Sequence, residues 1–176
     1  MNVYVDWDAT HWNRDPDFSQ TADNITAYVK EVSFRRGMKT EYGNTPAGTC
    51  QIVLDNSSKR FSPVYTSSPL YGKIRPWLPV KVTGTVDTST YNIYSGFISR
   101  ISCYPNAQKQ EAVLYCTDGT DLLARQIARQ QSDDRTQGTD GDAIESLLNV
   151  AGWSASKRTI DKDGGSLVQY PRTESF

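Results

Sequence analysis

The sequence predicts a mainly β protein: a small β-barrel or split barrel with one or two short helices, and the start of a second α+β segment at the C-terminus. Three observations favour this class. Short runs of β-branched and aromatic residues recur up to about residue 117, clusters of turn-forming residues separate them, and the hydrophobic spacing then changes to a helical period. Hydrophobic residues make up 37% of the chain and aromatic residues 11%, which is enough for a packed core.

The first three predicted strands lie at 2–7, 25–34 and 49–56. Within 25–34, Ile25 and Val29 have one parity, whereas Val32 and Phe34 have the other, and the phase changes at Lys30–Glu31. One extra residue in the strand would return both sets to the same face. We therefore expect a β-bulge at this point.

The next three predicted strands form two hairpins. Residues 80–86 alternate cleanly around Gly84, a residue type that marks a bend or a close backbone approach inside a strand. Asp-Thr-Ser-Thr then suits a hairpin turn, and a long alternating strand follows at 91–104. Pro105–Asn106 ends it, and 111–116 is the expected partner.

The C-terminal third has helical spacing and a polar break. Asp118-Gly119-Thr120 indicates a helix start, and Ile144, Leu147 and Leu148 lie on one helical stripe before Gly152. The intervening residues are polar and include two glycines. We therefore predict a barrel domain at 1–130, a flexible linker at 131–141, and at 142–176 a helix with two short strands that begins, or docks as, a second domain.

The chain lacks the residue sets of common enzymes. His11 is its only histidine, which excludes most Ser-His-Asp and multi-histidine metal schemes. The three cysteines, Cys50, Cys103 and Cys116, are widely spaced in strand-like segments and are expected to be buried thiols. Asp6 and Asp8 could form an acid–base pair, but loop carboxylates are the better interpretation. We expect no enzymatic activity, cofactor or metal site.

Nucleic acid and membranes are also poor candidates as partners. Nineteen basic residues are balanced by twenty acidic ones, without a basic stripe or a phosphate-binding glycine loop. No apolar run has the length of a membrane span or a secretory signal.

The segment between residues 55 and 79 is unusually long for a loop. It contains several aromatic residues, and its prolines reduce the entropy cost of ordering it. Aromatic and arginine side chains are enriched at protein–protein hot spots. The predicted contact residues are Arg60, Phe61, Tyr65, Tyr71, Arg75 and Trp77. The alternative is a locally packed lid on the core, and the two interpretations are compatible.

Two stretches in this region resemble a known family. AGTCQIVLDNSSKRFSP at 47–63, followed by SPLYGKIRPWLPVKV at 68–82, is similar to the opening domain of tail hub, or tail-associated, proteins of bacteriophages and prophages. ITAYVKEVSFRRG and GFISRISCYP also fit that pattern. Lys59 departs from it, because a glycine often lies at that turn position.

The resemblance implies a structural role. Hub proteins form a ring, commonly trimeric, that joins the tail tube to the distal tip around the tape-measure protein. We therefore expect a homo-oligomer in a virion tail tip, assembled in the host cytoplasm, with tail-tube or distal tail proteins as partners. The alternative is a carbohydrate-binding β module, because exposed Trp12, Trp77 and tyrosine side chains could stack on sugar rings.

Overall fold

A computed structural model describes residues 1–9, 16–35, 46–105, 109–124, 139–150, 153, 155 and 158–161. The chain divides into two compact units, Met1–Leu122 and Leu123–Phe176. The first unit is mainly β and curls into a half-barrel, which confirms the predicted fold class.

Six antiparallel strands form the sheet of the first unit, in the order β1-β4-β5-β6-β3-β2. They are β1 (Asn2–Val5), β2 (Val29–Arg35), β3 (Thr49–Asp55), β4 (Pro79–Val86), β5 (Ser89–Pro105) and β6 (Gln110–Thr117). Two one-turn 3-10 helices, Thr21–Asp23 and Thr26–Tyr28, precede β2. The β4–β5 and β5–β6 hairpins predicted from the sequence are both present.

The strand register confirms the predicted bulge and accounts for the curl. The pairing of β2 with β3 shifts between Val29 and Glu31, so Val29 and Val32 both pack against the core. A second shift lies between Val82 and Thr83, next to Gly84. Bulges bend a strand and increase its twist, which lets a single sheet curl around its core.

The 17-residue β5 has a different neighbour along each half. Its first half, up to Phe97, pairs with β4, and from Phe97 onward it pairs with β6. The sheet is therefore strongly staggered. Where the two halves meet, a Cβ on Gly96 would lie 2.3 Å from the Thr117 carbonyl oxygen, so only glycine fits this position.

The chain between β1 and β2 covers the outer edge of β1. Ile25 donates its N–H to the Val3 carbonyl at 3.0 Å, and Val3 donates its N–H to Thr26 Oγ1 at 2.9 Å. An edge strand otherwise exposes unpaired backbone groups. The connection between the two edge strands thus narrows the open side of the half-barrel.

The core lies on the concave face of the sheet. Alternate residues of β3 and β6, among them Ile52, Leu54 and Leu114, are fully buried there. Cys50 and Cys116 face each other across these two strands and are buried, as expected from the sequence, while Cys103 is half-buried.

The described part of the second unit contains one regular helix. The sequence predicts one helix that starts near Asp118 and a second helix after the polar segment. Both are present, as α1 (Gly119–Ala124) and α2 (Asp140–Val150). The α1 helix crosses the boundary between the two units. The α2 helix begins inside the segment predicted to be a linker, because Thr139 Oγ1 accepts the N–H of Asp142 while the Asp142 carboxylate accepts the N–H of Thr139. Residues 131–138 lie outside the described residues. The sequence also predicts two short strands within 158–170; the described residues 158–161 have no strand structure, and the rest of that range lies outside the described residues. No helix in the described part of the chain combines the length and hydropathy needed to cross a membrane.

Candidate interaction surface

The segment 56–78, which connects β3 to β4, is a continuous series of turns. The N–H groups of Lys59, Ser62, Tyr65, Ser68 and Tyr71 each donate to the carbonyl oxygen three residues earlier, at 2.9 to 3.1 Å. Such i→i+3 bonds define successive β-turns. We call this segment the turn loop; these five bonds are made within the segment itself, so it holds a defined shape between its two ends.

Two buried polar side chains brace the turn loop. Asn56 Oδ1 accepts the N–H of Phe61 at 2.9 Å, and Asn56 Nδ2 donates to Ser62 Oγ at 3.0 Å. Further along, Ser68 Oγ donates to the Arg60 carbonyl and accepts the N–H of Leu70. Because buried polar groups are costly when unpaired, these bonds fix the turns relative to one another.

The inner side of the turn loop completes the hydrophobic core. Phe61 is fully buried, with its ring centroid 5.4 Å from that of Tyr28 and 6.1 Å from that of Trp7. Its carbonyl accepts the Cys103 thiol at 3.3 Å, which places it over the concave face of β5. Leu70 and Leu78 are also buried. The inner side is therefore the lid expected from the sequence.

The C-terminal part of the turn loop is attached to the segment that follows β1. Lys73 pairs with Asp8 at 2.5 Å, and the Arg75 guanidinium donates to the Ala9 carbonyl. The Asp6 N–H donates to the Pro79 carbonyl at 3.1 Å. The turn loop is thus held at both ends as well as in its middle.

Trp77 makes the transition from the turn loop into β4. It is half-buried, has a φ of 68°, and donates its N–H to the Ile98 carbonyl at 2.6 Å. A left-handed backbone is unfavourable for a bulky side chain by about 1–3 kcal/mol. The surrounding hydrogen bonds and packing hold this conformation.

The outer side of the turn loop exposes a cationic and aromatic surface, which we call the outer patch: Lys59, Val64, Tyr65 and Tyr71. Val64 is 88% exposed, Tyr71 53% and Tyr65 37%. The Lys59 ammonium lies 5.7 Å from the Tyr65 ring centroid, within cation–π range. The segment 56–78 contains four basic residues and no acidic ones. Exposed apolar side chains on a backbone that is held by hydrogen bonds are typical of a protein-binding surface.

The six predicted contact residues divide between the two sides. Tyr65 and Tyr71 lie in the outer patch, whereas Phe61 is a core residue whose side chain has no surface to offer a partner. Arg60 is half-buried, with its guanidinium 5.2 Å from the Tyr28 ring centroid. Arg75 is exposed and Trp77 is half-buried. Arg60 and Phe61 thus act on the inner side.

Sequence reasoning missed four residues that the structure exposes. Val64 and Lys59 belong to the outer patch, and Val86 and Tyr91, which are 63% and 59% exposed, lie near the β4–β5 turn. Val86 has the parity of the buried Val80 and Val82, but β1 pairs with β4 only as far as Thr83, so Val86 lies beyond the part of the sheet that covers the core.

Burial shifts the pKa values of two cysteines and one aspartate in this unit. Burial raises the pKa of Cys50 to about 11 and that of Cys116 well above its ordinary value, so both remain neutral thiols at neutral pH. Burial also raises the pKa of Asp23 above its ordinary value, because desolvation outweighs hydrogen bonds from the N–H groups of Trp7 and Gln20. Among the described residues, no three His, Cys, Asp or Glu side chains are grouped closely enough to hold a metal ion.

No known protein-family model matches the chain, and no curated protein is significantly similar to it in sequence. The fold and this surface therefore define the molecule as a curled β half-barrel with a braced connecting loop.

Proposed function

We propose that this chain is a structural component of a phage or phage-like tail tip, where it forms part of the hub ring that joins the tail tube to the distal tip. The observation that carries the proposal is the turn loop: a braced segment whose inner side fills the core and whose outer side exposes aromatic and basic groups. A surface whose backbone is already ordered loses little conformational entropy on binding. Such a surface suits permanent assembly with other protein subunits.

The proposed partners are other copies of this chain in a ring, commonly a trimer, together with tail-tube or distal tail proteins and the tape-measure protein. The motifs at 47–63 and 68–82 that resemble hub proteins coincide with β3, the turn loop and the start of β4. The sequence likeness and the exposed aromatic surface therefore point to the same segment. The proposed location is the virion tail tip, after assembly in the host cytoplasm.

The carbohydrate-binding alternative has less support. It depends on exposed aromatic side chains that can stack on sugar rings. Trp7 is 1% exposed and Trp77 is half-buried, while Trp12 lies outside the described residues. Among the described residues, the exposed aromatics of the turn loop are Tyr65 and Tyr71, and Tyr65 lies beside Lys59.

Purified particles of the virus that encodes this chain provide the test. Immunogold labelling should place the chain at the tail tip, and amine cross-linking with mass spectrometry should join Lys59 to other tail proteins. Lys81, within β4 and with its ammonium 5.9 Å from the Phe18 ring centroid, is the comparison amine. Particles that lack the chain, or that carry it only along the tail shaft, would contradict the proposal.

A further inference from the structure

The β4–β5 hairpin extends beyond the rest of the sheet. β1 pairs with β4 only as far as Thr83, and β6 pairs with β5 only from Phe97 onward. In the described structure, residues 84–91 therefore pair only with one another. We call them the hairpin end. A two-stranded ribbon is marginally stable by itself in water, so this extension is a natural place for a further partner.

One face of the hairpin end is apolar. Cross-strand partners and alternate residues share a face, so Val86, Tyr91 and Gly84 lie together. Ile93 belongs to the same face: a Cβ on Gly84 would meet Ile93 Cδ1 at 2.7 Å, and Ile93 packs against the core. The opposite face is polar, with the hydroxyls of Thr85 and Thr90 3.3 Å apart. The hairpin end thus continues the core-facing side of the sheet into solvent.

The hairpin end and the outer patch have complementary charges. Asp87 is the only charged residue between Thr83 and Ser95, and it is exposed in the hairpin turn. The turn loop has only basic charges, with Lys59 in the outer patch itself. Each surface also exposes two or more large apolar side chains. Apolar contact surrounded by opposite charges is the composition of a specific interface.

The two surfaces lie at different ends of the same strands. The turn loop ends at Leu78, next to the first residue of β4, and the hairpin turn follows the last residue of this eight-residue strand. At a rise of roughly 3.3 Å per residue, the two ends of β4 are about 25 Å apart. The turn loop begins still further away, where the Asn56 N–H donates to the Gln110 carbonyl beside the end of β5. A contact between these surfaces therefore joins two molecules.

We infer that the outer patch of one copy binds the hairpin end of a second copy of this chain, with Val86 and Tyr91 packed against Val64 and Tyr71 and Asp87 beside Lys59. This inference rests on the proposed function, since it specifies one partner of the same surface. The contact is heterologous, because the two molecules use different patches. A heterologous contact that closes on itself forms a ring.

Light scattering coupled to size exclusion tests the contact with two complementary variants of the full chain. The patch variant combines Lys59→Asn, Val64→Thr and Tyr71→Ser, and the hairpin variant combines Val86→Thr, Asp87→Asn and Tyr91→Thr. Lys59 and Asp87 have φ values of 57° and 54°, and asparagine tolerates this backbone region. The control is Phe34→Thr with Tyr104→Thr, which removes two exposed aromatics outside both surfaces.

We expect the wild-type and control chains to self-associate with increasing concentration, and each variant alone to associate at least ~tenfold more weakly. An equimolar mixture of the two variants should form a dimer, since each supplies the surface that the other lacks. This recovery also shows that both variants are folded. A monomeric wild type at the highest soluble concentration, or a mixture without dimer, overturns the inference.

The two proposals fail separately. If the chain is located at the tail tip but the variants self-associate as strongly as the wild type, only the heterologous contact is contradicted. A chain that associates as described but is absent from tail particles would contradict the tail-tip function alone.

Discussion

The inner side of the turn loop contributes to the hydrophobic core, whereas its outer side is exposed to solvent. Both sides nevertheless carry aromatic residues from the same short segment of sequence. Phe61 and Tyr71 are ten positions apart in the same Ser- and Pro-rich segment. Phe61 is fully buried, whereas Tyr71 is 53% exposed. An aromatic residue in a long loop can therefore serve folding or association. The outcome depends on the turn that orients each side chain. Asn56 and Ser68 hold the turn that directs Phe61 into the core, whereas the following turns leave Tyr65 and Tyr71 exposed.

The largest expected effect comes from truncating one aromatic on each side. Phe61→Ala removes a ring that contacts Trp7 and Tyr28 in the core and should lower the free energy of unfolding by about 3–5 kcal/mol. Tyr71→Ala should change it by less than about 0.5 kcal/mol, because the side chain is largely in water. Chemical denaturation monitored by tryptophan fluorescence measures both. Equal losses for the two variants would mean that the outer patch is also part of the core.

The next effect concerns the brace between the two sides. Asn56→Ala leaves the Phe61 N–H and the Ser62 hydroxyl without their partner and should cost about 1–3 kcal/mol. The adjacent Ser57→Ala is the control, because Ser57 is exposed and bonds only the Asp55 side chain. It should cost less than about 0.5 kcal/mol. Proteolysis within the turn loop, compared in native buffer, should accelerate only for Asn56→Ala.

The buried carboxyl group of Asp23, in the connection between β1 and β2, makes the stability of the first unit sensitive to pH. Its 3-10 turn lies against the core near Trp7, and burial raises its pKa. Between its ordinary value and the raised value, the folded state binds more protons than the unfolded state, so stability falls as pH increases through this window. Asp23→Asn should remove that decrease. Urea midpoints measured from pH 4 to pH 7 test this, and a variant whose pH dependence matches wild type would exclude Asp23 as the cause.

The sequence predicts the sheet better than it predicts the turn loop. The bulge near Lys30 could be predicted because strand residues alternate between two faces, so the change of parity there is visible in the hydrophobic pattern. The register shifts after Val82 and Ile98 were not predicted in this way. Successive turns have no such alternation. Whether Phe61 faces the core depends on hydrogen bonds to Asn56 and on contact with Trp7, more than fifty residues earlier in the chain. These tertiary contacts cannot be read from local spacing.

The smallest expected effect separates stability from association at one residue. Lys59 has a φ of 57°, which lies in the left-handed region that glycine adopts without steric cost. Lys59→Gly should therefore keep or raise the free energy of unfolding by up to about 1 kcal/mol, since relief of strain is offset by the greater entropy of the unfolded chain. The same change removes the cation that lies beside Tyr65 and, in the inferred contact, opposite Asp87, so self-association should weaken. The loss of affinity should be smaller at high salt, because salt already screens this attraction in the wild type. Thermal unfolding and light scattering on one preparation measure both effects. A variant that is stabilised yet associates like wild type at low salt would assign Lys59 to the turn alone and remove its charge from the contact.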